Sequence, residues 1–140
     1  MRIQIIPHSS VGNISFGMDR IDVRSHIPSP FEPFSRDSTD KSRSDHFTSA
    51  GIFAYYTQYG KLEAIEFCGP AEPLLFGAPL LGSGFSEAKA VLESHGGELE
   101  EDDAGATSYS LGIGLYAPGK NDSRMDPVEA VIVFSPGYYN

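Results

Sequence analysis

The chain has 140 residues, 40% of them hydrophobic, with nine Phe, seven Tyr and a formal net charge of −9. That length holds one domain with a proper core, and the acidity excludes free nucleic acid as a natural partner, because nucleic acid is gripped chiefly by Lys and Arg on its phosphates. A basic protein partner is electrostatically favoured instead, mainly through the rate of encounter.

One cysteine, Cys68, excludes an intrachain disulfide and a zinc site of familiar spacing. Its apolar neighbours make it a buried, inert thiol. The apolar residues before Pro7 are too few for a signal-peptide core, and no stretch approaches the length that spans a bilayer. The expectation is a cytoplasmic protein of bacterial type, with no membrane partner.

In chain order, Ile3 to Ile6 is a short strand, and a glycine-punctuated link runs from Gly12 to Gly17. Met18 to Ile27 reads as a helix, with Asp19 as cap or first-turn residue and Pro28 forcing the stop. Residues 28–46 hold three prolines and many Ser, Asp, Lys and Arg, which predicts a long, mobile polar loop. Gly51 to Thr57 and Lys61 to Cys68 form a hairpin around Gln58-Tyr59-Gly60. Both faces of the return strand are mixed, which suits a central position. Pro73 to Leu81 is a strand-like run. Ser86 caps a helix from Glu87 to Ser94, with Ala88, Val91 and Leu92 on its buried face and Gly96-Gly97 ending it. The acidic segment Glu98-Leu99-Glu100-Glu101-Asp102-Asp103 follows. Leu111 to Ala117 and Val128 to Phe134 are paired strands, joined by a polar connection from Pro118 to Pro127.

The same order appears twice. Leu62-Glu63-Ala64-Ile65-Glu66-Phe67-Cys68-Gly69-Pro70 aligns with Val128-Glu129-Ala130-Val131-Ile132-Val133-Phe134-Ser135-Pro136, 66 residues on. Gly51 to Tyr56 aligns with Gly112 to Ala117, and Gly17-Met18-Asp19-Arg20 with Gly84-Phe85-Ser86-Glu87. The predicted fold class is α+β: a βαββ-type repeat, 1–70 and 71–140, whose hairpins join in one antiparallel sheet with the helices on one face.

Phe16-Gly17-Met18 opening a helix, followed by antiparallel strands, resembles the unit of the BamE/SmpA-like fold. Tandem copies of a similar unit form the β-lactamase-inhibitory-protein family, whose members bind enzymes on a concave sheet. The chain is similar in size and in carrying two units, and it also resembles small bacterial proteins of the immunity type. The resemblance implies an architecture and transfers no functional residue.

The four histidines lie at no metal-ligand spacing. Asp45-His46 is a dyad beside a polar loop, and His26 and His95 stand at helix C-termini. Gly82-Ser83-Gly84 before a helix is a candidate anion nest, though without the lysine of a phosphate loop. No G-x-S-x-G element or dinucleotide fingerprint is present, so no catalytic residue, cofactor or metal is assigned. The partner-binding residues expected are Glu98, Glu100, Glu101, Asp102 and Asp103, whose charges repel unless a basic surface is near, with Tyr55, Tyr59 and Tyr109, because Tyr offers rigid amphipathic contact area. The functional expectation is a non-enzymatic inhibitory protein that neutralises a basic toxin or enzyme. The alternative is a small-ligand-binding or hydrolytic protein with a cleft between the repeats, Asp45-His46 or His95 at its edge.

Overall fold

Short strands broken by glycine and proline turns are the main regular structure of the chain. The structure, a computed structural model, describes residues 2–36, 38–39 and 43–139. The first half contains β1 (Arg2–Ile6), β2 (Ser10–Val11), β3 (Ile14–Ser15), α1 (Arg20–His26), β4 (Phe31–Phe34), β5 (Ser44–Phe47), β6 (Ile52–Tyr56) and β7 (Leu62–Phe67). The second contains β8 (Glu72–Leu75), β9 (Ala78–Pro79), α2 (Phe85–Ser94), β10 (Glu100–Glu101), β11 (Gly105–Ser108), β12 (Ile113–Tyr116), a short 3-10 helix (Pro118–Asn121) and β13 (Ala130–Phe134).

These strands form two sheets, one of five strands in the order β3-β2-β1-β8-β9 and one of eight in the order β10-β11-β12-β13-β7-β6-β5-β4. The α+β expectation is therefore corrected. The fold is mostly β, with two short helices, and the repeat is not a βαββ unit contributing to a single sheet. The reason lies in segments whose polarity hid their pairing. The expected loop 28–46 contains β4 and all of β5 but its last residue, and the acidic segment contains β10, which pairs with β11. Residues 37 and 40–42 of that expected loop lie outside the described residues. Pro33 is tolerated in β4 because an edge strand can leave one side of its backbone unpaired.

The larger sheet is palindromic about the β13–β7 pair: each half supplies four strands in mirror order. Glycines at matching places carry the same backbone. Gly51 and Gly112 both have φ of 69°, and their carbonyls accept bonds from Cys68 N, just past β7, and from Phe134 N in β13. The helix entrances also match, but with a shift from the expected alignment. Gly17 N bonds to Leu62 O and Gly82 N to Val128 O, so Gly17 corresponds to Gly82 and not to Gly84. Asp19 and Gly84 are then the equivalent N-caps, each at ψ 146°. The second helix starts at Phe85, one residue before the expected cap Ser86. Asp19 holds the cap position of α1 without capping it, because its carboxylate pairs with Lys61.

One core joins both sheets and both helices. Val23 of α1 and Phe85, Ala88 and Leu92 of α2 pack with Ile3 and Ile5 of the smaller sheet and Ile65, Phe67, Val131 and Val133 of the larger. Alternation leaves the other face of the larger sheet outside that core. A second, smaller cluster forms there, around Tyr55, Ala64 and Phe134, with Phe34, Phe53, Ile132 and Tyr138 against it. Among the described residues, no helix is long and apolar enough to cross a membrane.

Candidate functional site

The outer face of the larger sheet follows from strand register. Cross-strand partners share a face, and the pairing links Glu100, Thr107, Gly114, Ile132, Glu66, Phe53, His46 and Glu32 in one row across all eight strands. At the spacing of neighbouring strands this row runs roughly 34 Å. Carboxylates stand near its ends and at its centre, with apolar and aromatic groups between. Glu66 accepts a bond from the Tyr55 hydroxyl at 2.6 Å. Burial, then that bond, pushes the Tyr55 phenol upward, so it stays neutral as a donor. His46 stacks flat on Phe53, with ring centroids 4.2 Å apart.

The chain beyond β13 folds back onto this face. Tyr138 and Tyr139 pack against Phe134, and Tyr109 joins them at centroid distances of 6.2 Å to Phe134 and 5.7 Å to Tyr139. Arg36 bonds to the Tyr138 hydroxyl and lies over the Tyr55 ring, tying tail to sheet. Tyr109, Tyr116 and Tyr139 remain about half exposed, at 50%, 47% and 54%. Glu98, Leu99, Glu100, Tyr109 and Ser110 line a shallow depression of about 280 Å³ at the acidic end.

Three of the expected binding residues, Glu98, Glu100 and Tyr109, are thus gathered at one place. The others are dispersed. Tyr55 lies on the same sheet face but is nearly buried, and Tyr59 projects into solvent from the turn between β6 and β7. Asp102 holds its own turn, accepting bonds from Ala104 N and Gly105 N at 2.8 Å. Asp103 is exposed, and its carbonyl accepts from the Asn121 amide.

Glu101 points to the other side of the sheet. Arg124 donates to both its oxygens at 2.8 and 3.2 Å, Lys89 donates at 2.8 Å, and Lys120 stands 3.6 Å away. The bonds from Arg124 and Lys89 hold its carboxyl down at about 2. The first half has a counterpart: Arg24 of α1 grips buried Asp45 with two bonds of 2.8 Å, and the Tyr56 hydroxyl adds a third. Arg24 and Lys89 are equivalent positions on the two helices, counted from their matched caps. Each half therefore locks its helix to the sheet with a cation and a carboxylate.

These bonds correct two sequence readings. Asp45 and His46 do not form a dyad, because successive strand residues face opposite ways and Asp45 is wholly occupied by Arg24 and Tyr56. At the Gly82-Ser83-Gly84 segment, most of the donors an anion nest at the start of α2 would use are already engaged. Gly82 N, Phe85 N and Ser86 N are spent on the carbonyls of Val128, Asp126 and Arg124. Cys68 is half-buried, and burial, aided by nearby Glu66, raises its thiol and suppresses the reactive thiolate.

A larger cavity, about 340 Å³, opens elsewhere, and its lining comes from residues between Arg2 and Phe67. It lies within the first half rather than between the repeats, and neither Asp45, His46 nor His95 lines it. Comparison with protein-family models, with curated proteins and with solved structures found no match for the chain.

Proposed function

We propose that this chain is a non-enzymatic protein-binding protein of the immunity type, which inhibits a basic toxin or enzyme by masking its active site. The observation that carries the reading is the convergence of Glu98, Glu100 and Tyr109 on one depression whose tyrosine runs into the aromatic face of the larger sheet. Exposed carboxylates steer a basic partner toward the surface, and the half-exposed tyrosines supply contact area once it arrives. The net charge of −9 adds a long-range field of the right sign. Glu101 has no part in the contact, because its oxygens already serve three cations of its own chain.

The test places a photo-crosslinking side chain at Tyr109 in the host cell, with the same side chain at Tyr59 as control. A basic protein captured from position 109 alone is the expected result. Its association with the purified chain should slow roughly tenfold or more as salt rises from about 0.05 to about 0.5 M. The pair Glu98→Lys and Glu100→Lys should weaken binding, while Glu101→Gln leaves affinity unchanged in protein that is still folded. A salt-independent on-rate, or capture equal at both positions, overturns the reading.

A further inference from the structure

The β8–β9 hairpin breaks a local rule. Leu75 pairs with Ala78, so the turn has two residues, Phe76 and Gly77, with φ of 48° and 83°. Positive φ at both places marks the turn type that calls for Asn-Gly, Asp-Gly or Gly-Gly. A bulky side chain at the first place is held in a left-handed conformation that L residues avoid. Phe76 is also 64% exposed, so burial returns little for that strain. An exposed ring needs no explanation by itself. A ring both strained and exposed is different, because backbone strain of this kind concentrates at functional sites.

The β1–β2 turn supplies the contrast. His8 also has positive φ, 63°, but its Nε2 donates to the Ser110 carbonyl at 2.6 Å and ties the smaller sheet to the turn between β11 and β12. Strain at His8 thus has a structural return. The Phe76 ring stacks on His95, with centroids 4.2 Å apart, and His95 is itself exposed. A stack open to water anchors neither partner in the core.

Phe76 also stands beside the masking surface. β1 and β8 run in parallel with Ile5 opposite Leu75, so Ile6, 56% exposed, and Phe76 stand at the same end of the smaller sheet. His95 leads to Gly96, whose carbonyl accepts from Ser110 Oγ at 3.4 Å, and Ser110 lines the acidic depression with Tyr109. The segments that make this surface, 6–9, 76–77, 94–100 and 109–110, contain Glu98 and Glu100 and neither Lys nor Arg. An apolar knob flanked by carboxylates fits a protein whose apolar pocket is flanked by cations. A second copy of the chain would bring the same carboxylates against these and be repelled.

We infer that Phe76, with Ile6 beside it, is the apolar anchor of the masking surface, received by the basic partner in a hydrophobic pocket next to its basic site. The anchor presupposes the masking reading and locates where its affinity resides: the carboxylates govern approach, and Phe76 governs residence time.

Phe76→Asn puts a residue suited to the turn in place of the ring, and the variant alone should melt at or above the Tm of the parent chain. A Tm lower by roughly 5 °C or more would make Phe76 a structural residue and overturn the assignment. In the host cell, p-benzoylphenylalanine in place of Phe76 should capture the same basic protein as the photo-crosslinker at Tyr109. With that protein purified, Phe76→Asn should raise Kd at least roughly 30-fold through faster dissociation, leaving the on-rate and its salt dependence unchanged. Glu98→Lys with Glu100→Lys should instead slow association. Capture from 109 but not from 76, or an unchanged Kd in the folded Phe76→Asn variant, overturns the anchor and leaves the masking reading standing. Crosslinks between two copies of the chain at position 76 overturn it in favour of self-association, and no basic protein at either position removes both readings.

Discussion

Asp45 shows how one side chain fixes a helix to a sheet. Its carboxylate is fully buried and holds two bonds from Arg24 and one from Tyr56. Removing one partner of a buried pair strands the other, which costs about 3–5 kcal/mol in typical cases. Asp45→Ala should therefore lose about 3 kcal/mol in urea unfolding, the low end, because Arg24 keeps some solvent contact. Tyr56→Phe should lose about 1 kcal/mol, and the double variant less than the sum, since the two residues are the donor and acceptor of one bond. Additive losses would mean that the three groups do not act as a unit. Glu101 makes a complementary prediction in pH. Its folded carboxyl titrates at about 2, while an unfolded Glu titrates near about 4.3. The stability it contributes is therefore complete above the unfolded value and disappears as pH falls from there through the folded value. Glu101→Gln should flatten the fall of Tm between about pH 4.5 and 2; an unchanged acid limb would exclude Glu101 as a source of it.

At the level of elements, the repeat is written most clearly in its glycines. A Cβ at Gly112 would come within 2.7 Å of the Phe134 carbonyl, one at Gly51 would collide with the Cys68 carbonyl, and both positions need positive φ. Gly77 also has positive φ, but open space surrounds it. Gly51→Ala and Gly112→Ala should each cost about 2 kcal/mol or more, and Gly77→Ala about 1, the strain alone. Thermal melts of the three variants check this order, and a Gly77→Ala loss equal to the others would show that the carbonyl contacts are irrelevant. These glycines also mark what was legible in the sequence. The β6–β7 and β12–β13 hairpins could be read, because a glycine, an alternating aromatic run and a second run recur together. β4 and β10 could not. Edge strands bury little, so Phe31-Glu32-Pro33-Phe34 and Glu100-Glu101 have almost no buried side chains to signal a strand. The same limit hid the site. Glu98 and Glu100 stand exposed, but nothing local tells them from Glu101, whose Lys89, Lys120 and Arg124 partners arrive from separate segments. The aromatic face depended on register, which the alternation of Tyr55 and Tyr56 suggests but cannot extend across eight strands.

At the scale of the whole molecule, the two halves share both sheets. β7 and β13 are each other's neighbours at the centre of the larger sheet, with Phe67 opposite Val131 and Ile65 opposite Val133, all fully buried. Separating the halves turns both central strands into long apolar edges, the kind that folded proteins avoid. The smaller sheet breaks as well, because β1 pairs in parallel with β8 from the other half. A parallel pair has no local turn to form it, so neither half recovers that contact by itself. Each half of about 70 residues would keep too small a core to offset its chain entropy. Residues 1–70 and 71–140 made separately should therefore show no cooperative melt and little dispersion in amide spectra. Mixed at equal concentration they should recover the circular dichroism of the intact chain and one shared transition. A cooperative melt of 1–70 alone would sink the argument, since it would show that the β7 edge is tolerated in water. Complementation should also restore the row that runs from Glu100 to Glu32, because that row crosses from one half to the other at the Ile132–Glu66 pair. Any function that uses the full width of this face then depends on the junction of the repeats.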